Sequence, residues 1–198
     1  CICSNERDSE RVRQLRNQWR ESQVSVLTRK RVVFVDETGV NLALCRRYGR
    51  ALRGNRAIGS APKNYGESVS LIGAIDRSGL IASFSFKGAT DTEAMKVFVS
   101  QILLPVLQSG DCVVWDNLSV HKTRAVQDLF DKAGVELLFL PPYSPDLNPI
   151  EMCWSKLKTY LRAAAARTYE KLSEEISAAI NLITATDAQN WIRHCGYV

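Results

Sequence analysis

Along the chain, apolar positions fall first into short β-branched runs and only later into helical spacing. Residues 31–39 (RVVFVDETG) form one such run, ending in acidic residues and Gly as a buried strand does where it enters a turn. Residues 68–88 hold two more, joined by Asp76-Arg77-Ser78-Gly79, which is hairpin-turn chemistry. At 90–108 the spacing becomes helical, with Thr90 or Thr92 as the cap and Pro105 shortening the end. Residues 111–117 (DCVVWDN) predict a fourth strand ending in a carboxylate, 119–134 a helix closed by Gly134, and 135–140 a fifth strand. Helices over 149–164 and 169–184 follow, then a short one from Thr186, with Gln189 at capping-box spacing. The order β-β-β-α-β-α-β-α describes an α/β fold, a mixed five-stranded sheet flanked by helices.

Three segments stand outside this pattern. Residues 6–27 are polar with sparse apolar positions and read as an exposed helix or a connector. The Gly- and Arg-rich stretch 41–67 has no clear period and fits a loop or short hairpin. PPYSPDLNP (141–149) carries four prolines, which remove donors and fix φ, so it is a rigid loop.

A chain of 198 residues buries one substantial core, here assigned to 31–198 with 1–30 as a basic N-terminal helix or connector. At 45% hydrophobic and 24% charged it has the composition of a globular protein and not of a disordered one. Its apolar runs are far shorter than the ~20 residues that cross a bilayer, and nothing resembles a signal peptide, so a cytoplasmic location is expected. The chain starts at Cys1 without a Met and reads as the cut end of something longer. Six cysteines lack paired C-x-x-C spacing, which predicts free thiols. The net charge of +5 is uneven: residues 1–63 carry 14 Lys/Arg against 6 Asp/Glu, whereas 64–198 carry 12 against 15. Such asymmetry suits a densely anionic partner, most simply nucleic acid, although a solvated helix face and a basic loop would look the same.

The candidate chemistry lies in three carboxylates. Asp36 ends the first predicted strand and Asp116 the fourth; if those strands are adjacent and parallel, both project at the sheet edge where open α/β sheets bind ligands. Singly, each also fits a turn cap. Glu151 stands at N3 of a helix that Asn148 would cap and Pro149 would start, so a capping box accounts for it too. On that helix, however, Glu151, Ser155, Lys158 and Arg162 form a polar stripe bordering an apolar face. Two like charges ~4 Å apart repel by about 4 kcal/mol at an effective dielectric of ~20, so convergence of the three demands a cation or a proton. All-oxygen ligation favours Mg²⁺, with Mn²⁺ as a substitute, and two such ions make the clamp for in-line phosphodiester displacement. Glu37 should point to the opposite face of its strand, and Asp146 serves a turn in the proline loop.

The strings VVFVDETG, RRYGRALRG, VVWDNLSVHK, LPPYSPDLNPIEMCWSKLK and RHCGY resemble those of mariner-superfamily transposases, in particular the bacterial insertion-sequence branch. The resemblance runs from about residue 31 to the C-terminus, and PPYSPDLNPIE is its most specific part. It implies a ribonuclease H-like fold and an Asp-Asp-Glu metal triad with 34 residues between the second and third members, the number between Asp116 and Glu151. Asp36, Asp116 and Glu151 match that triad, and Asn117 and His121 match the family's DN-x-x-x-H pattern; with Lys158 they are the accessory candidates. The implied reaction cuts a strand at the element end and transfers its 3′-OH into target DNA. Assembly as a homodimer or larger complex on DNA, within a bacterial nucleoid, is implied with it. There is no room before residue 31 for the family's helix-turn-helix domains, so sequence-specific binding is expected to be missing. The rival readings are a ribonuclease H-like nuclease or resolvase on the same carboxylates, and a non-catalytic domesticated DNA-binding fragment.

Overall fold

The computed structural model describes residues 9–23, 27, 30–46, 48–60 and 62–197. Five strands form one sheet: β1 (Val32–Val40), β2 (Val69–Asp76), β3 (Gly79–Lys87), β4 (Cys112–Trp115) and β5 (Glu136–Phe139), in the order β3-β2-β1-β4-β5. The meander β1-β2-β3 is antiparallel, whereas β1, β4 and β5 run parallel. The expected adjacency of the first and fourth strands therefore holds. β1 differs in one respect: its parallel pairing with β4 stops at Phe34↔Val114, while its antiparallel pairing with β2 continues to Val40. Asp36 thus lies within β1, past the end of its partner β4, and not at the strand's own end.

Alternation along β1 builds two cores. Phe34 faces one side with Leu71, Ile75, Cys112 and Val114, covered by α4 (Ile150–Ala164), α5 (Tyr169–Asn181) and α6 (Ala185–His194). Val33 and Val35 face the other with Ile72, Val113 and Trp115, covered by α2 (Thr92–Val97), the π-helical turn Phe98–Leu103 and α3 (Arg124–Ala133). Arg31 ties the base of the sheet together, donating 2.9 Å hydrogen bonds to Asp76 and Asp111.

Several local expectations change. Asp91, not Thr90 or Thr92, caps α2, its carboxylate accepting from the Ala94 N–H at 2.8 Å. The helix expected over 119–134 splits into a 3₁₀ turn, Ser119–Lys122, and α3, because Thr123 is extended (φ −64°, ψ 139°). Gly134 closes α3 in the left-handed conformation, as its sequence position predicts. The last helix is capped by Thr184 with Asp187, which form the reciprocal box expected of Thr186 and Gln189. Cys45, Cys112, Cys153 and Cys195 are free thiols, and Cys1 and Cys3 lie outside the described residues.

The N-terminal segment is less exposed than its polarity suggests. In α1 (Glu10–Gln18) Val12 and Arg16 are buried, and Trp19 follows them into the core. Arg16 donates to Ser144 Oγ at 2.6 Å and to both oxygens of Asp146, at 3.0 and 2.6 Å. Trp19 Nε1 donates to Tyr197 OH, which donates to the Leu147 carbonyl. Asp146, expected only to shape a turn, anchors the proline loop to the N-terminal helix. Among the described residues no helix is long and apolar enough to cross a membrane.

Candidate active site

Where β4 stops and β1 continues, a cleft opens at the carboxyl edge of the parallel strands. It holds about 450 Å³ and is lined by Asp36, Asp116, Asn117, Tyr143, Asn148 and Glu151, among others. Asp36 sits on the α4 face of β1, with Gly73 of β2 opposite it. A Cβ on Gly73 would stand 2.6 Å from Trp154 Cη2, so glycine is what lets α4 close on the sheet beside Asp36. Asp116 follows β4 directly, two residues past Val114, where the pairing of β1 with β4 ends.

Glu151 opens the first turn of α4, but the expected capping box does not form. The Asn148 N–H is already bonded to the Pro145 carbonyl at 3.1 Å, closing the 3₁₀ turn Pro145–Leu147, so Glu151 has no donor to return to. The Asn148 side-chain oxygen makes no capping bond either. Glu151 is left facing the cleft.

The electrostatics mark these groups as one cluster. Burial, then the charges of Glu151, Glu37 and Asp116, push the Asp36 carboxyl up to about 8. Glu151 is raised by burial and by Asp116, with Lys158 pulling the other way. Lys158 is lowered by burial although Glu151 and Asp36 favour its charge. Among the described residues, no three His, Cys, Asp or Glu side chains already stand within reach of a single ion. Asp36, Asp116 and Glu151, which the sequence singled out, all line this one cleft.

Burial opposes the charge on His121, but Asp116 and Glu37 more than offset it and its pKa rises to about 9. Nδ1 lies 2.5 Å from Asp116 Oδ1 and Nε2 3.1 Å from Glu37 Oε1, with the ring stacked 4.4 Å from Trp115. Glu37 also accepts from Trp115 Nε1 at 3.2 Å. Glu37 does point away from Asp36, as alternation predicts, but it is no bystander: that face is where it supports Asp116 through His121. Only the pairing of DN-x-x-x-H with an acidic neighbour of Asp36 hinted at it.

Asn117 lines the cleft, and Lys158 lies two turns beyond Glu151 along α4. Tyr143, which the sequence reading passed over, adopts a left-handed φ of 54° between prolines and is half-exposed along the cleft wall. No local pattern announces that conformation.

A mixed sheet with carboxylates on β1, after β4 and on the helix that crosses them has the ribonuclease H-like architecture. A family model described as "DDE superfamily endonuclease" matches residues 31–173, and the chain belongs to that family. It is 31% identical over 134 residues to the Tc3 transposase of Caenorhabditis elegans, covering 64% of this chain and 41% of that protein. It is 35% identical over 74 residues to the Tcb1 transposase of Caenorhabditis briggsae, covering 37% of this chain and 27% of that protein. The chain thus spans less than half the length of these relatives. Among solved structures, a Mos1 transposase paired-end complex with the left transposon end superposes with a TM-score of 0.81 at 22% identity, over 94% of this chain and 60% of that one. The isolated Mos1 catalytic domain gives 0.68 at 17% identity, over 98% and 92% of the two chains. At these identities the superpositions speak for the fold.

Proposed function

We propose that this chain is the catalytic domain of a cut-and-paste DNA transposase, with Asp36, Asp116 and Glu151 holding divalent metal. The observation that carries the reading is the meeting, in one cleft, of three carboxylates distant in sequence. One of them is buried enough that its charge needs a counter-ion. The donor set fits Mg²⁺ or Mn²⁺, being oxygen alone with no thiolate lining the cleft. Relatives of the same fold were solved with Mg and with Mn. When bound, a pair of such ions supplies the positive charge that lets an oxygen nucleophile approach a phosphodiester and the leaving oxygen depart.

The chain's own residues do the rest. Asp36, fixed mid-strand, would hold the metal together with Asp116 and Glu151. His121, braced by Glu37 and Trp115, holds Asp116 in place. Lys158, which interacts with Glu151 and Asp36, would meet a backbone phosphate, and Asn117 lines the approach. Water as nucleophile breaks the P–O bond at an element end and leaves a 3′-OH. That hydroxyl then attacks a target phosphodiester, displacing the target strand's own 3′-oxygen. The Mos1 structures are named as paired-end and strand-transfer complexes, and we extend to this chain the same partners, transposon-end and target DNA, with a dimer or larger assembly on them.

Residues 31–198 would be the catalytic unit and 1–30 the basic helix leading into it. On the strings VVFVDETG, RRYGRALRG, VVWDNLSVHK, LPPYSPDLNPIEMCWSKLK and RHCGY together we propose the bacterial insertion-sequence branch, acting in the cytoplasm at the nucleoid, although the named relatives are nematode elements.

The test is Mg²⁺-dependent cutting of element-end DNA, together with joining of a pre-cut 3′-OH end to a target duplex. Asp36→Asn, Asp116→Asn and Glu151→Gln should each lose cutting and joining by at least ~10³-fold while duplex binding is kept. Unchanged cutting by Glu151→Gln would remove Glu151 from the site, and cutting without joining would favour a plain nuclease.

A further inference from the structure

We propose that Asn148 is a fourth oxygen donor of this site, its side-chain carbonyl taking the cation between Asp36 and Glu151 directly or through one water. This rests on the metal reading above and goes beyond its three carboxylates.

Asn148 is 3% exposed, and its Oδ1 is buried without a hydrogen-bond partner. Among the described residues lining the carboxylate cleft, it is the one that carries such an orphaned atom. A buried carbonyl left unpaired is unfavourable, and native structures keep one where something else satisfies it. The backbone of Asn148 is itself committed. The Asn148 N–H bonds the Pro145 carbonyl at 3.1 Å, and its C=O accepts from the Glu151 N–H at 3.2 Å. Pro149 follows immediately and holds Asn148 extended, at φ −109° and ψ 102°. The preceding 3₁₀ turn is clamped from outside by Arg16 on Ser144 and Asp146, and by Tyr197 OH on the Leu147 carbonyl. The amide is therefore presented to the cleft by a rigid support, three residues ahead of Glu151.

The chemistry favours a cation. Three carboxylates already place like charge in the cleft, so a further anionic ligand would add repulsion. An amide carbonyl adds a hard oxygen donor without adding charge, and hard divalent cations accept such carbonyls. The same residue in a capping role would show its oxygen on a backbone N–H of α4, which it does not do.

The experiment is Mn²⁺ titration of the whole chain by calorimetry at pH 8, with thermal melts in EDTA, for wild type, Asn148→Ala, Asn148→Asp and Asp36→Asn. The inference predicts that Asn148→Ala weakens Mn²⁺ binding by about 10-fold or more without lowering the melting temperature in EDTA. Asn148→Asp, which restores an oxygen donor, should bind Mn²⁺ at least as well as wild type. Wild-type affinity in Asn148→Ala overturns the proposal, as does an equal loss in both Asn148 variants, which would mean that the side chain only packs. A lower melting temperature in Asn148→Ala with unchanged Mn²⁺ affinity identifies a structural residue instead. If wild type binds Mn²⁺ no better than Asp36→Asn, the three-carboxylate reading itself falls, an outcome distinct from the failure of Asn148 alone.

Discussion

Burial of Asp36, with like charge from Glu151, Glu37 and Asp116, lifts its pKa from 3.8 to about 8, so over that interval the folded chain keeps a proton that the unfolded chain has released. The sign follows from linkage. With more protons bound in the native state, stability falls as pH rises from about 4 towards 8 and levels off above. His121, raised from 6.5 to about 9, contributes in the same direction, with stability present below 6.5 and lost as pH passes 9. Asp36→Asn removes the penalty on the buried carboxylate. In EDTA the variant should melt above wild type by ~4–8 °C at pH 8, corresponding to about 2 kcal/mol, and the gap should shrink towards pH 5. Added Mn²⁺ should raise the melting point of wild type only. An Asp36→Asn protein that melts at or below wild type across this range would mean that the carboxylate is not strained by its surroundings. The three carboxylates were legible in the sequence because two follow apolar runs and the third starts a helix, all within diagnostic strings. Glu37 was set aside for a sound reason, its opposite orientation, but what waits on that face is His121, and no local pattern reports a contact between such distant segments.

At the level of elements, the strands, their order of appearance and most helices could be read from periodicity, because each buries one face against a single core. What could not be read was set by competition for particular hydrogen-bond donors. Asn148, Pro149 and Glu151 have the composition of a capping box, yet the 3₁₀ turn before them claims the Asn148 N–H first. Asp91 and Thr184 displaced the expected caps by one or two positions for the same kind of reason. The polarity of residues 6–27 concealed how firmly α1 is docked, since the contact runs through a buried arginine with only Val12 and the following Trp19 beside it. Arg16→Ala would remove the three hydrogen bonds that Arg16 gives to Ser144 and Asp146 and loosen the loop that carries Tyr143 and Asn148. We expect a loss of about 2–3 kcal/mol in denaturant unfolding, discounted because the Asp146 side chain is 37% exposed. Arg16→Lys should recover only part of this, because a point charge cannot span both partners. Stability unchanged in Arg16→Ala would make α1 a passive connector.

Across the whole molecule, the uneven charge noted in the sequence acquires a location. Arg46, Arg50, Arg53 and Arg56 all lie exposed in the long connection from β1 to β2, which leaves the sheet four residues beyond Asp36. Exposed Tyr48, Leu52 and Ile58 are interleaved with them. A helix face of the same charge would have spread along one element; here the arginines gather in one segment, whose Arg46 and Tyr48 share a cavity with Thr159 and Arg162 of α4. Each arginine that neutralises a phosphate steepens the salt dependence of duplex binding by about 0.9 in log–log slope. Replacing Arg50, Arg53 and Arg56 together by Ala should therefore flatten that slope by roughly 2–3 and weaken binding at low salt, while the isolated domain keeps its melting temperature. Asp116→Asn, which alters the cleft but not the loop, should leave the slope as it was. The comparison separates the two parts of the surface, since a triple variant with the wild-type slope would mean that the loop does not grip DNA and that its charge serves another contact.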